Sequence, residues 1–241
     1  MDIHKPHAPH SLGEFAREIA TIVTGILIAL ALEQGLAWLH ERHLADEART
    51  AIRAELAWDM AALSTRATGE PCVRRRLAEI DVALRHWASG EAVPPMWIGQ
   101  PSNYGFDSSR FESASTTGRF ALLPAHEQTV NAQLHRFIDG AGRFQIAEIP
   151  IWGRLQGLRG GSTGLTDADR ARIAGTLDEA RAYDDLVVAI ARFAPALARR
   201  EGIAFRPLPL HADNGDATCL PVTTTAAEAA RLLEYHPLAG E

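Results

Sequence analysis

Several histidines, serines and carboxylates of this 241-residue chain could do chemistry, but none stands in a spacing that completes a reaction centre. His126-Glu127 is the first half of a zinc-protease H-E-x-x-H, which needs its second histidine one helical turn later. Position 130 is Val130 and His135 is off the spacing, so a metalloprotease is excluded. Ser108, Ser109, Ser113 and Ser115 precede His126, the residue types of acyl transfer, yet no G-x-S-x-G occurs and sequence proximity is not geometry. Asp184-Asp185 are adjacent on a predicted helix, where neighbours point apart. His40 and His43 share a helix face and would suit a metal or haem; a hydrated interfacial pair is the simpler reading. His4, His7 and His10 recur every third residue in a Pro-rich tail, a metal-binding pattern or a flexible polar one. Gly157 to Gly164 is glycine-rich but lacks the lysine and the preceding strand of a phosphate loop. No catalytic residue, metal site or cofactor is therefore assigned. The net charge of −6 argues against nucleic acid, and Arg74-Arg75-Arg76 reads as a solvated helix face. The two cysteines, Cys72 and Cys219, fit no zinc spacing. They are two thiols in a reducing compartment and a candidate disulfide in an oxidising one.

The dominant element is apolar. Ile19 to Leu32 is free of charge, and at 1.5 Å per residue it covers about 21 Å, short of a roughly 30 Å hydrocarbon core. Continuation to Leu39 completes a span, with Glu33 and Gln34 near one end and Trp38 as an interface anchor. No cleavage site with a change of composition follows, so a retained anchor fits better than a cleaved signal peptide. A buried core helix of a soluble protein is the alternative. Thr21, Gly25, Ala29 and Glu33 form a stripe at i, i+4 spacing. Small residues there let a second transmembrane helix approach, and an intramembrane carboxylate seeks a partner; in the simpler reading small residues are common in such helices and Glu33 merely reaches the interface. The basic residues flanking the span nearly balance, so charge alone leaves its orientation open.

The expected fold is mainly α: a disordered tail at 1–11, a transmembrane anchor at 12–40, and a helical soluble domain at 41–241 with long Pro/Gly-rich loops. The anchor helix is expected to stop at Gly69-Glu70-Pro71, with a second helix over 71–89 returning as a hairpin. Residues 91–106 form a long irregular loop whose Trp97, Tyr104 and Phe106 offer an aromatic binding surface or a plug for the core. Short helices near 107–117, a helix from Pro124, a long helix over 166–200 capped by Thr166 with a kink or end at Pro195, and a last helix over 223–235 complete the pattern.

Glu14, Glu18, Gly25-Ile26-Leu27-Ile28-Ala29-Leu30, Trp38, Glu41-Arg42 and Ile52-Arg53-Ala54-Glu55-Leu56-Ala57-Trp58-Asp59 together resemble a group of bacterial single-pass membrane proteins. That group carries a V-x-x-G-[IV]-L-[IL]-A-L anchor followed by a L-x-x-E-L-x-x-D helix. Phe111-Glu112-Ser113-Ala114 with Gly118-Arg119-Phe120-Ala121-Leu122-Leu123-Pro124 is similar to its second element. The step Gln34-Gly35-Leu36-Ala37-Trp38 is longer than the group's usual anchor exit, and the likeness covers about residues 12–140. The group has no assigned activity. The resemblance implies an inner-membrane protein with its N-terminus inside and its main domain in the periplasm, which favours pairing of Cys72 with Cys219.

The expected function is a non-catalytic interaction or accessory protein, with the bilayer and another transmembrane helix, from a second copy or a partner subunit, as its partners. A periplasmic ligand-binding or sensing domain using the 91–106 loop is the alternative, although residues before 19 leave no room for a recognisable output module. A hydrolase using Ser109 or His126 comes third.

Overall fold

Leu12 to Ala88 form one helix, α1, of 77 residues and about 115 Å. The computed structural model describes residues 12–208 and 217–232, so the histidine-bearing tail lies outside the described residues, as does the end of the last predicted helix. Among the described residues there are helices, turns and loops and no strand. After α1 come α2 (Ser109–Thr116), a 3-10 turn (Arg119–Leu122), α3 (Ala125–Leu155), α4 (Asp167–Arg200), a short turn at Ala217–Cys219 and α5 (Ala226–Leu232).

The expected stop at Pro71 does not occur, and no hairpin forms there. Proline removes one helical hydrogen bond and crowds the preceding turn, a cost of about 3 kcal/mol. Contacts on both sides of it outweigh that cost. Glu70 is buried and paired with Arg74 and, at 3.3 Å, with Arg192 of α4. Cys72 lies at disulfide distance from Cys219, and Val73 and Leu77 are in the core. Pro150 in α3 and Pro195 in α4 are likewise carried inside continuous helices. Pro124 sits one residue before α3 rather than in its first turn. Thr166 caps α4 as its sequence implies, in a reciprocal capping box with Asp169.

Three helices make the bundle. Arg49 pairs with Glu127 and Arg66 with Glu148, so α3 runs parallel to α1. Arg53 reaches the Glu201 carbonyl and Asp81 faces Arg181, so α4 runs antiparallel. The upper core, nearer the anchor, joins Ala45, Ala48, Ile52, Leu56, Met60 and Leu63 to Leu134, Ile138 and Ala141 of α3 and to Ala191, Ala194 and Ala198 of α4. Alanines on α4 let the helix axes approach. The lower core joins Val73, Leu77 and Ile80 to Trp152, Leu155, Ile173 and Leu177. Two irregular segments run along the bundle in opposite senses: 91–108 back toward the anchor, and 203–208 with 217–222 away from it. They cross where Gly99, at φ +70°, meets Ala217; a Cβ there would lie 2.4 Å from the Ala217 oxygen.

Candidate functional site

The anchor half of α1 is the first candidate surface. It is the one helix among the described residues long and apolar enough to cross a membrane. No part of this apolar stretch is covered by the domain: Ile19, Ile22, Val23, Ile26, Leu27, Leu30, Leu36 and Leu39 are all exposed. It is not a core helix of this domain, whose burial begins at Ala45. The Arg42 guanidinium lies 5.3 Å from the Trp38 ring centre, an aromatic–cation pair suited to a headgroup boundary. The stripe of Thr21, Gly25, Ala29 and Glu33 is exposed, and a Cβ on Gly25 would meet nothing within 4 Å. Thr21 satisfies its hydroxyl on the Arg17 carbonyl at 2.9 Å. Steps of three or four residues from Glu33 reach Leu36, His40, His43, Glu47, Thr50, Ala54 and Trp58. All of these stay exposed, Trp58 at 56%. Apart from Glu47, which faces Arg119 at 3.6 Å, one side of α1 is thus left exposed from its apolar stretch to the middle of the domain, while Ala45, Ala48, Ile52 and Leu56 on the other side enter the core.

The L-x-x-E-L-x-x-D helix has a visible task. Glu55 and Asp59, one turn apart, point under the 107–111 segment. The Arg110 and Phe111 amides donate to the Glu55 carboxylate at 2.6 and 3.2 Å, and the Asp107 amide donates to Asp59 at 3.3 Å. A carboxylate from α1 thereby satisfies the first free amides of α2 and complements its dipole. His135 of α3 lies beneath, 3.6 Å from Glu55 and stacked on Phe111 at 4.0 Å between ring centres. Burial pushes Asp59 up to about 7 and lowers His135 to about 4; Glu55 is also raised by burial. The two sequence elements that carried the resemblance are therefore docked on each other. No single-position signal announced this, because the acceptor carboxylates and the amides they hold are about fifty residues apart.

A polar layer separates the two cores. Arg66, fully buried, donates to Asp184 at 2.8 Å and to Glu148 at 3.3 Å, tying α1, α4 and α3 together. Burial raises Asp184 despite this cation. Asp184 and Asp185, adjacent on the helix, point apart as expected: Asp185 is exposed, while Asp184 is buried with Arg66 as its partner.

The aromatic loop divides. Trp97 is buried, donates its indole N–H to the Ala217 carbonyl at 2.8 Å, and lies under Arg159 at 4.7 Å. It packs the loop against the segment bearing Cys219, which Arg75 and Arg76 also grip through the carbonyls of Cys219 and Thr218. Tyr104 and Phe106 are elsewhere, half-buried on one wall of a cavity of about 620 Å³ whose floor is Ile138, Gly142, Gln145, Ile146 and Ile149 of α3. The Tyr104 amide donates to Gln145 at 3.1 Å.

Ser109 is exposed at the start of α2, and its amide is held by Asp107 at 2.9 Å. The exposed His126 pairs with Glu201 at 2.8 Å, and His43 with Glu47 at 3.1 Å. Among the described residues no group of three or more His, Cys, Asp or Glu side chains is placed to hold a metal ion. No family model, curated protein or solved structure matches this chain.

Proposed function

We propose that this is a single-pass protein of a bacterial inner membrane, with a periplasmic helical domain that works as a non-catalytic interaction or accessory subunit. The observation that carries the reading is the bare side of α1. The stripe of Thr21, Gly25, Ala29 and Glu33 continues into an exposed line ending at Trp58, met by the rest of the domain at Glu47, where Arg119 reaches it. A second transmembrane helix, of another copy or of a partner subunit, can therefore lie along it with the domain on the far side. Small side chains allow the close approach, and a partner's polar group would satisfy Glu33 in lipid. The Cys72–Cys219 pairing supports the periplasmic side, because disulfides persist in oxidising compartments. The likeness to the single-pass group supports the same topology.

Native mass spectrometry of the full chain purified from membranes in mild detergent tests this. A stoichiometric complex that is lost in Gly25→Leu/Ala29→Leu and weakened in Glu33→Gln is expected. A wild-type chain that stays monomeric across several mild detergents would overturn it. The cavity at Tyr104 and Phe106 favours a second reading, a periplasmic ligand-binding domain. A thermal shift with a small-molecule panel, abolished by Gly142→Leu, separates it from the first.

A further inference from the structure

The 118–125 corner, which joins α2 to α3, lies at the end of the bundle where the anchor enters. Arg119 faces Glu47 at 3.6 Å, and Glu127 in the first turn of α3 accepts from Arg49 at 2.8 Å. The corner therefore stands at the height of residues 46–49 of α1. Its side chains are sorted: Phe120 and Leu123 pack on the upper core, while Ala121, Leu122, Pro124 and Ala125 are exposed. Beside it, Glu47 and Glu127 are both held by arginines.

The height matters because α1 continues unbroken from span to core. If the hydrocarbon ends near Leu39, the headgroup layer adds about 5–8 Å, or four to five residues of helix. That brings its outer edge to about Leu44, one residue before the first buried position, Ala45. No linker separates bilayer and domain. We infer that the 118–125 corner is a foot resting on the headgroup layer of the bilayer that α1 crosses, with Leu122 and Pro124 against the lipid and Arg119 within reach of phosphate. The inference rests on the reading of α1 as a membrane span, and it gives the Gly118–Pro124 element a role: an inward pair that holds the corner and an outward set that meets lipid.

The test uses the full chain in phosphatidylcholine/phosphatidylglycerol nanodiscs, with a nitroxide on Leu122→Cys, on Ile26→Cys in the span, or on Ala168→Cys at the distal end. Collision with a water-soluble nickel complex is the readout. The label at 122 should be at least threefold less accessible than that at 168. Four glycines inserted between Glu41 and Arg42, which lift the domain, should restore it. Equal accessibility at 122 and 168 with a shielded label at 26 would overturn the foot and leave the anchor standing. Protection at 122 that survives the insertion reflects protein packing and also overturns it. A label at 26 as accessible as that at 168 would remove the anchor reading, and the foot with it.

Discussion

Asp59 is fully buried and, among the described residues, accepts only the Asp107 amide through one oxygen, with the like charge of Glu55 one turn away. Burial, then these carboxylates, raise its pKa from 3.8 to about 7. A raised acid favours the folded state most below its unfolded pKa, and that contribution is lost as pH rises through the folded one. Asp59 thus costs the domain stability progressively between about pH 4 and 7. His135 acts oppositely: lowered from 6.5 to about 4, it contributes above pH 6.5 and loses that contribution as pH falls through 4. Asp59→Asn keeps the acceptor and removes the charge. Its stability relative to wild type, by urea unfolding, should be about 2–3 kcal/mol more favourable at pH 8 than at pH 5; equal differences at both pH values would refute the assignment. Arg66 is the second informative position. Arg66→Ala leaves Asp184 and Glu148 without their buried cation and should cost about 3–5 kcal/mol. The triple change Arg66→Met/Glu148→Gln/Asp184→Asn should recover much of that loss in the same unfolding assay.

At the scale of elements, α2 is short and depends on what it docks against. Only Ala114 of its eight residues is buried, and while Asp107 holds the Ser109 amide locally, the Arg110 and Phe111 amides are satisfied from α1. Glu55→Ala should therefore raise hydrogen exchange at 109–116 while leaving the lower core protected. Uniform loss of protection across both cores would instead make Glu55 a global stability residue. Gly161 fastens the opposite end of the bundle. It adopts φ +75°, and a Cβ there would lie 2.3 Å from the Val93 oxygen. Gly161→Ala should destabilise by more than 1 kcal/mol through both strain and the displaced 93–95 segment.

At the scale of the molecule, the Cys72–Cys219 bond closes a loop across 147 positions and ties the C-terminal segment to the middle of α1. The chain-entropy account gives such a closure about 3–5 kcal/mol. Cys72→Ser/Cys219→Ser should unfold at correspondingly lower urea and still fold, because Trp97, Arg75 and Arg76 hold the same segment. The unbroken α1 also means that a rotation or tilt of its apolar N-terminal half is passed to the upper core without a hinge.

What was legible in the sequence was local. The apolar run, the helical periodicities and the cap at Thr166 follow from residue type and short-range geometry. Residue pattern alone also defined the stripe from Thr21 to Glu33. The tertiary structure decided what depends on distant partners. Pro71 stays inside a helix because contacts from α4 and Cys219 outweigh its local cost. Trp97 parts from Tyr104 and Phe106 because its indole finds the Ala217 carbonyl. Glu55, Asp59 and Arg66, unremarkable on a helical wheel, become the buried polar centres of the domain only when α2, α3 and α4 remove them from water. Propensity and periodicity act over a few residues, whereas desolvation and ion pairing act through whatever the completed fold brings alongside.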